Sequence, residues 1–359
     1  MTPASHAPSR ARLAVALGAL ASLLTACSGT ETPSPTLDAG VTEVATDLEV
    51  PWEMVAVGES VLVSERDSGR IIEIAPDRGT REVLVVPDVR FGGEGGLLGL
   101  AVDPSAEHLY AYSTGDEGNR VQRYEIGGQP GALTLTGAED VVAGLPSAGN
   151  HNGGRIAFGP DGMLYVTVGD AGDRPAAQDI DALAGKILRL EPDGTVPGDN
   201  PFPGSPVYSY GHRNPQGIAW SADGRMFASE FGQDTWDELN IIEPGGNYGW
   251  PVVEGVGGAA EFIDPVQVWA PDDASPSGLT VVGETLYLAN LRGERLRAIP
   301  VDDPSTSTEY LVGEFGRLRA VMPGPDDRLW ISTSNRGGRG QSRSGDDRIV
   351  SIDPARYPG

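Results

Sequence analysis

Short apolar segments recur along most of the chain, and turn residues separate them. A turn rich in Gly and Asp leads into one apolar segment, and a second segment with Arg near its start follows. Short, β-branched segments between turn residues are typical of β-strands and not of helices. The pattern therefore predicts an all-β chain.

The paired segments occur six times, spaced roughly 45–60 residues apart, which is the size of a four-stranded propeller blade. The pairs are 59–64 with 69–74, 107–112 with 119–124, 161–166 with 185–190, 223–228 with 237–242, 283–288 with 294–299, and 326–331 with 347–352. We therefore expect a six-bladed β-propeller over residues 45–359, because a ring of blades leaves no long sheet edge exposed. The alternative, a two-domain array of β-sandwiches, would need a break in composition that the chain lacks.

Composition narrows the classes of partner. The 50 Gly and 29 Pro disfavour a helix bundle, since both residues interrupt helices. The 51 acidic residues against 26 basic ones leave a net charge of −25. This balance argues against a nucleic-acid partner and against electrostatic binding to an anionic membrane, both of which need clustered Lys and Arg.

The N-terminus carries features of an export signal. Two Arg precede the apolar run Leu13–Leu24, which is too short to span a bilayer. The residues up to Cys27, the only Cys, resemble a bacterial lipobox. We expect a lipoprotein signal peptide over 1–26, a flexible Ser/Thr/Pro-rich tether over 27–44, and export to the outer face of the cell membrane, with a lipid on Cys27 as the only membrane contact. An ordinary secretory signal is the alternative.

Two segments place a reactive or cationic side chain among turn residues. Residues 150–156 hold His151 between Asn and Gly, and His is well suited to proton transfer near neutral pH. Residues 210–217 hold Arg213 beside Asn214, and Arg offers a planar fork to carboxylates. The alternatives are a structural His and a turn with a solvated Arg.

An acidic segment over 230–240 contains Asp234, Asp237 and Glu238. Carboxylate and carbonyl oxygens are the ligands that Ca²⁺ prefers, although the spacing is not that of an EF-hand loop. A solvated acidic turn is the alternative. A Gly-rich segment, 93–104, would let backbone approach a ligand or another strand closely, with simple packing or turn geometry as the alternative. A second Gly-rich segment, 334–340, carries a local cluster of Arg, which suggests an anionic ligand in an acidic chain; a solvated loop is the alternative.

The order and spacing of three motifs resemble those of the PQQ-dependent soluble sugar dehydrogenases, the glucose, aldose and sorbosone dehydrogenase family. The motifs are His-Asn-Gly-Gly-Arg at 151–155, Gly-His-Arg-Asn-Pro-Gln-Gly at 211–217, and Asp-Glu-Leu-Asn at 237–240 with Asn-Tyr-Gly-Trp-Pro at 247–251. The likeness extends over nearly the whole chain after the tether. The chain is more similar to the short aldose dehydrogenases than to the larger glucose enzymes, because it lacks long loop insertions.

The resemblance implies roles for individual residues. His151 would take the proton from the anomeric hydroxyl of the sugar as hydride passes to PQQ, and Arg213 would stabilise the charge that develops on the reacting PQQ oxygen. The implied contacts to PQQ are Glu94, Arg213, Asn214, Arg292, Arg336 and Arg339. The implied Ca²⁺ sites are the carbonyls of Gly232 and Gln233, beside PQQ, and a second, structural site at Glu238 and Tyr248.

Two positions depart from the family pattern. Glu94 stands where a neutral Gln is usual, and a carboxylate there would oppose an anionic cofactor unless it is protonated or turned away. The usual cofactor-contacting Lys has no clear match, because the only Lys, Lys186, lies in a blade strand; Arg292 is the substitute.

The expected activity is oxidation of an aldose at C1 to the lactone, with PQQ and Ca²⁺ as cofactors and an unidentified electron acceptor. One alternative is a Ca²⁺-dependent propeller lactonase or other hydrolase, which would not need the array of Arg. Another is a surface propeller without enzymatic activity that has lost its cofactor site. The sequence does not determine the sugar or the oligomeric state.

Overall fold

A computed structural model describes residues 40–359 as an almost purely β structure. Two short 3₁₀ helices, Arg174–Gln178 and Pro354–Arg356, are the helical elements in this range. The strands are β1 (Val41–Ala45), β2 (Pro51–Val57), β3 (Ser60–Glu65), β4 (Arg70–Ile74), β5 (Thr80–Val85), β6 (Leu97–Val102), β7 (His108–Gly115), β8 (Gly118–Gly127), β9 (Thr134–Leu145), β10 (Ile156–Phe158), β11 (Leu164–Val168), β12 (Lys186–Leu190), β13 (Val207–Tyr210), β14 (Pro215–Trp220), β15 (Met226–Glu230), β16 (Asp237–Ile242), β17 (Gln267–Trp269), β18 (Pro276–Val282), β19 (Thr285–Asn290), β20 (Arg295–Pro300), β21 (Thr308–Tyr310), β22 (Leu318–Pro323), β23 (Leu329–Thr333) and β24 (Ile349–Ile352).

These strands form six antiparallel four-stranded sheets, which confirms the predicted six-bladed β-propeller. Blades 1 to 5 each use four consecutive strands, from β2–β5 to β18–β21. In every blade, the pair of segments recognised in the sequence supplies the two middle strands. The repeat was visible because most positions of these middle strands, β8 apart, are buried and many of them are apolar.

The ring closes by joining the two ends of the described chain. The strand β1 pairs with β24, with Val41 opposite Ile352 and Glu43 opposite Val350, so that β1 is the outer strand of blade 6. The first strand of the described residues therefore begins at Val41, four residues before the predicted boundary at 45 and inside the range assigned to the tether. The predicted signal peptide, Cys27 and the rest of the tether lie outside the described residues.

The hydrophobic core lies between neighbouring blades. In the cluster between blades 1 and 2, for example, Leu62 and Ile71 pack against Leu109 and Ala111, and all four are fully buried. Burying an aliphatic side chain contributes roughly 1.5–3 kcal/mol, so each of these inter-blade clusters holds its pair of blades together. In residues 40–359, no helix has both the length and the apolar character needed to cross a membrane.

The six first strands surround a central channel, and the connections at one end of that channel include every segment singled out in the sequence. Three of these connections matter for the site: 169–185 between β11 and β12, 231–236 between β15 and β16, and 243–266 between β16 and β17. The connection 243–266 extends toward the same end of the channel as the other two. There the indole of Trp250 bonds to Asp170, and the carboxylate of Glu254 bonds to residues 233–236.

Candidate active site

A cavity with about 560 Å³ of open space lies at this end of the central channel. Its lining contains four guanidinium groups, and Glu94 is the one carboxylate among the lining residues. The four are Arg66, Arg317, Arg319 and Arg339. The cavity lining therefore carries an excess of positive charge, although the whole chain has a net charge of −25.

Arg319 lies deepest in the cavity and is buried. Its Nη1 donates to Gln216 Oε1 at 2.7 Å and to Ser277 Oγ at 3.2 Å, but its Nε has no partner in the described structure. Burial, with the neighbouring Arg66 and Arg317, lowers the pKa of Arg319 well below its ordinary value. A buried guanidinium among like charges is destabilised until an anion arrives.

Arg317, next to the rim, shows the same effect. Burial and the charge of Arg339 lower the pKa of Arg317 to about 10. Sequence reasoning missed both Arg317 and Arg319. The detectable feature was their spacing of two at the start of β22, which puts both side chains on one face of an otherwise apolar strand.

His151 lies at the rim and bonds to a carboxylate that was not foreseen. Its Nδ1 lies 2.7 Å from Oδ1 of the buried Asp170. Burial tends to raise the pKa of Asp170, but hydrogen bonds from His151, Gly172 and Trp250 outweigh it and lower that pKa. An ionised Asp170 accepts the Nδ1 proton, so Nε2 of His151 is the unprotonated nitrogen and can act as a base; its one contact is a long one of 3.4 Å, from the exposed Asn150 Nδ2.

The backbone around His151 depends on glycine. His151 itself has a positive φ of 55°, and Gly153 has one of 63°. A Cβ on Gly153 would lie 2.5 Å from the carbonyl oxygen of Thr167, so no other residue fits there. The Gly-rich motif thus allows the His151 turn to pack closely against β11, and Asp170 follows the end of β11.

Trp250 holds Asp170 from the other side. Its indole Nε1 donates to Asp170 Oδ2 at 2.8 Å, and the guanidinium of Arg213 lies 5.5 Å from the ring centroid. Gln178 in turn donates to the carbonyl of Trp250 at 2.7 Å. The sequence-based prediction therefore missed two positioning residues, Asp170 in the connection 169–185 and Trp250 in the connection 243–266.

Arg213 and Asn214, two of the residues expected to contact the cofactor, lie beside the same group of residues. Arg213 Nη1 donates to the carbonyl of Phe231 at 3.1 Å, while Asn214 Oδ1 accepts from the backbone N–H of Gly153 at 3.0 Å. Arg213 Nε and Asn214 Nδ2 are buried, and neither has a partner in the described structure. Both N–H groups are donors that a bound ligand could satisfy.

Glu94 connects His151 to the cationic side of the cavity. One carboxylate oxygen accepts the backbone N–H of His151 at 2.9 Å, and the other accepts from Arg339 Nη1 at 2.9 Å. Burial opposes ionisation, but these interactions keep the pKa of Glu94 below its ordinary value. Glu94 is thus ionised and its charge is offset by Arg339, whereas the sequence-based expectation required it to be neutral or turned away.

Arg292 and Arg336 lie on the outer rim and are not among the residues that line the cavity. Arg292 pairs with Asp272 at 2.5 Å, and Arg336 lies 3.8 Å from Asp47. Each of the two side chains is exposed and turned toward a surface carboxylate. Lys186 also lies away from the cavity, because its Nζ donates to three backbone carbonyls of residues 176–184.

Gly232 and Gln233 form a tightly held turn rich in oxygen. The N–H of Gly232 donates to Asp237 at 2.8 Å, and the N–H of Gln233 donates to Glu254 at 2.7 Å. Gln233 Oε1 is buried and has no partner in the described part of the chain. An amide oxygen without a donor, beside backbone carbonyls, is a suitable ligand for Ca²⁺.

The carboxylate of Glu238 is held by hydrogen bonds inside blade 4. It accepts from Gly255 N–H at 2.7 Å and from Asn240 Nδ2 at 3.0 Å, and burial together with Glu230 raises its pKa to about 8. The Tyr248 hydroxyl bonds to the backbone of β16 and the residue after it. Residues 40–359 contain no group of three or more His, Cys, Asp or Glu placed to share one metal ion.

Comparison with known proteins gives a consistent family. The model of the glucose/sorbosone dehydrogenase family matches residues 48–341. A solved structure, the PQQ-bound form of aldose sugar dehydrogenase from Streptomyces coelicolor, is 48% identical, with a TM-score of 0.83 over 89% of this chain and 99% of that one.

Two characterised relatives are less similar. Aldose sugar dehydrogenase YliI of Escherichia coli is 31% identical over 81% of this chain and 89% of its own length. Quinoprotein glucose dehydrogenase B of Acinetobacter calcoaceticus is 36% identical over 54% of this chain and 48% of its own length. The family model and these relatives match the same propeller that carries the cavity, and the chain therefore belongs to the glucose/sorbosone dehydrogenase family.

Proposed function

We propose that this enzyme is a PQQ-dependent dehydrogenase that oxidises aldose sugars at C1 to the lactone. The observation that carries the proposal is the meeting of two features at one mouth: a hydrogen-bonded His151–Asp170 pair and a cavity lined by four guanidinium groups, of which the buried Arg319 has an unsatisfied N–H. The first is suited to proton abstraction and the second to an anionic cofactor.

The residues present fit PQQ, a flat tricarboxylate. Arg317, Arg319 and Arg339 would hold its carboxylates, and the free donors of Arg213 and Asn214 would bond to its ring oxygens. Each buried N–H left without a partner costs about 1–3 kcal/mol, so a ligand that supplies an oxygen recovers that free energy. When bound, PQQ supplies the electrophilic carbon that accepts hydride.

His151 and Arg213 would divide the remaining chemistry. Nε2 of His151 takes the proton of the anomeric hydroxyl, and Asp170 holds the ring in the required tautomer and stabilises the imidazolium that forms. Arg213, held by Phe231 and Trp250, presents a fixed cation to the oxygen on which negative charge develops. Glu94 fixes the His151 turn through its backbone N–H.

Ca²⁺ is the second proposed cofactor, at the oxygens of Gly232 and Gln233. The unpartnered Oε1 of Gln233 supports this assignment. The ion would act there as a Lewis acid and would offset negative charge on the cofactor. The support for the structural site at Glu238 and Tyr248 is weaker, because the oxygen atoms of their side chains already have protein partners.

A lactonase would use the channel differently. Such a hydrolase needs a cluster of carboxylates around an axial Ca²⁺, whereas the cavity lining in residues 40–359 has four Arg and one Glu. The non-enzymatic alternative depended on an uncompensated Glu94, and Arg339 compensates it.

A PQQ titration of the apo protein, with and without Ca²⁺, tests the proposed function. We expect a change in PQQ absorbance that requires the protein and becomes stronger with Ca²⁺, followed by dye reduction with one or more aldoses. Absence of both the absorbance change and dye reduction with every aldose would contradict the proposal. Lactone hydrolysis with Ca²⁺ but without PQQ would favour the hydrolase.

Replacing Asp170 by Asn should lower kcat by about 10–100-fold, because the neutral amide no longer stabilises the imidazolium or selects the tautomer of His151. We expect PQQ affinity to change little and the acid limb of the kcat–pH profile to move. Asp173→Asn, an exposed neighbour in the same connection, is the matched control. A kcat–pH profile that coincides with that of the unmodified enzyme would remove Asp170 from the mechanism.

A further inference from the structure

Four exposed apolar side chains lie on blades 3 and 4 beside the cavity mouth. We call them the apolar rim: Ile180 (41% exposed), Trp236 (39%), Val252 (67%) and Val256 (65%). They account for half of the eight large apolar side chains that are exposed in residues 40–359. Exposed apolar groups that gather beside a functional site mark an interaction surface more often than scattered ones do.

Hydrogen bonds and packing hold the apolar rim in shape. The Gln178 side chain, two residues before Ile180, bonds to the carbonyl of Trp250, two residues before Val252. The Trp236 indole packs so closely on Gly255 that a Cβ there would lie 2.5 Å from Trp236 Cδ1.

Glu254 fixes the connection 231–236, which carries Trp236 of the apolar rim. One of its oxygens accepts the N–H groups of residues 233–236, which end at Trp236. The surface is therefore formed before any partner arrives, which lowers the entropic cost of binding.

Charge on the mouth face is strongly polarised. The three connections of the apolar rim, 169–185, 231–236 and 243–266, carry nine carboxylates and a single Arg, Arg174; eight of the nine are exposed or half-buried, and the ninth, Asp170, is buried in the site. The connection of blade 6 across the mouth, 334–348, carries four Arg and two Asp. A partner that binds the apolar rim should therefore present basic residues around an apolar centre, and this polarity would orient it.

We propose that the apolar rim is the docking surface for a basic protein that carries one electron at a time. This inference rests on the proposed function. Conversion of one aldose to lactone releases two electrons and two protons, so two ferric carriers become ferrous and two protons pass to solvent in each turnover. The connections of the apolar rim also hold Asp170 and Phe231, so a carrier docked there lies against the wall of the cavity.

The surface matches what such encounters need. Complexes between redox proteins are small, below about 1,200 Å² of buried area, and rely on charge for steering. A few apolar contacts inside an acidic border satisfy both needs. An acidic partner would be repelled by these carboxylates, and a neutral one would not be steered by them.

The test measures binding of a basic ferric cytochrome c, used as the probe, to the apo protein by calorimetry at low salt. The double variant Val252→Ser/Val256→Ser should weaken binding about fivefold or more. Val312→Ser, at a valine that is 54% exposed in the connection between blades 5 and 6, is the matched control and should bind as the unmodified protein does. Asp179→Asn/Asp181→Asn should weaken binding and flatten its dependence on salt.

Three results would overturn the proposal: no binding of the probe, equal losses in the rim and Val312 variants, or sedimentation showing self-association that the rim variant abolishes. In the PQQ-loaded enzyme, the rim variant should reduce a small dye normally but reduce cytochrome more slowly. A failure of the unmodified enzyme to reduce the dye would instead refute the proposed function. The binding measurement on the apo protein would still test the docking surface independently.

Discussion

Replacing His151 by Ala should lower kcat by about 10²–10⁴-fold, because general-base catalysis contributes a factor of this size. In the proposed function, Nε2 of the imidazole takes the proton of the sugar while Asp170 holds the ring through Nδ1. PQQ affinity should change little, since the Arg residues that face the cavity are untouched. The measurement is steady-state dye reduction at saturating aldose, with PQQ binding followed separately by absorbance.

His108→Ala is the matched control for this experiment. His108 also lies near a carboxylate, Asp103, at 3.6 Å, but it begins β7 and lies away from the cavity. We expect this variant to keep the kcat of the unmodified enzyme. A loss of less than about threefold in the His151 variant would remove His151 from the mechanism, because general-base catalysis contributes far more than that.

Replacing Arg319 by Gln should weaken PQQ binding by about 10–100-fold and yet leave the apo protein as stable or more stable. Loss of a hydrogen bond to a charged ligand group costs about 1.5–3 kcal/mol, which accounts for the change in affinity. The apo protein gains because a buried cation without a carboxylate partner, among like charges, is removed. The measurements are the Kd from a PQQ titration and the Tm without PQQ.

Arg297→Gln is the contrasting variant. Arg297 is also a buried arginine, but it pairs with Glu309 at 2.6 Å and lies on β20, away from the cavity. Its loss should lower the Tm of the apo protein and leave the Kd for PQQ unchanged. If Arg319→Gln lowered the Tm as Arg297→Gln does, and left the Kd unchanged, Arg319 would be a structural residue and the cavity would not be built for an anion.

The two Arg of the Gly-rich segment 334–340 illustrate how far sequence reasoning reaches. Both were expected to face the cofactor. Arg339 does line the cavity, whereas Arg336 turns toward Asp47, on the connection that follows β1. The difference depends on which carboxylate each guanidinium meets across the ring, and no local pattern contains that information.

The His151 site shows the same division. Its motif of His, Asn and Gly predicted a loop base, since those residue types and their spacing are local properties. Its partners Asp170 and Trp250 lie 19 and 99 positions further along the chain, by the numbering of the sequence. Asp170 meets His151 because β10 and β11 pair within blade 3, whereas Trp250 reaches Asp170 only because the connection 243–266 of blade 4 extends to blade 3.

The sequence by itself determined the number of blades and the positions of their middle strands, because strand period and turn residues act over a few residues. It indicated the family through the resemblance of three short motifs. Only the tertiary structure decided where the ring closes, which Arg residues face the channel, and that Glu94 is balanced by Arg339. Ring closure brings residues hundreds of positions apart within hydrogen-bonding distance. The charge of a cavity is therefore a property of the closed ring and cannot be read from any one segment.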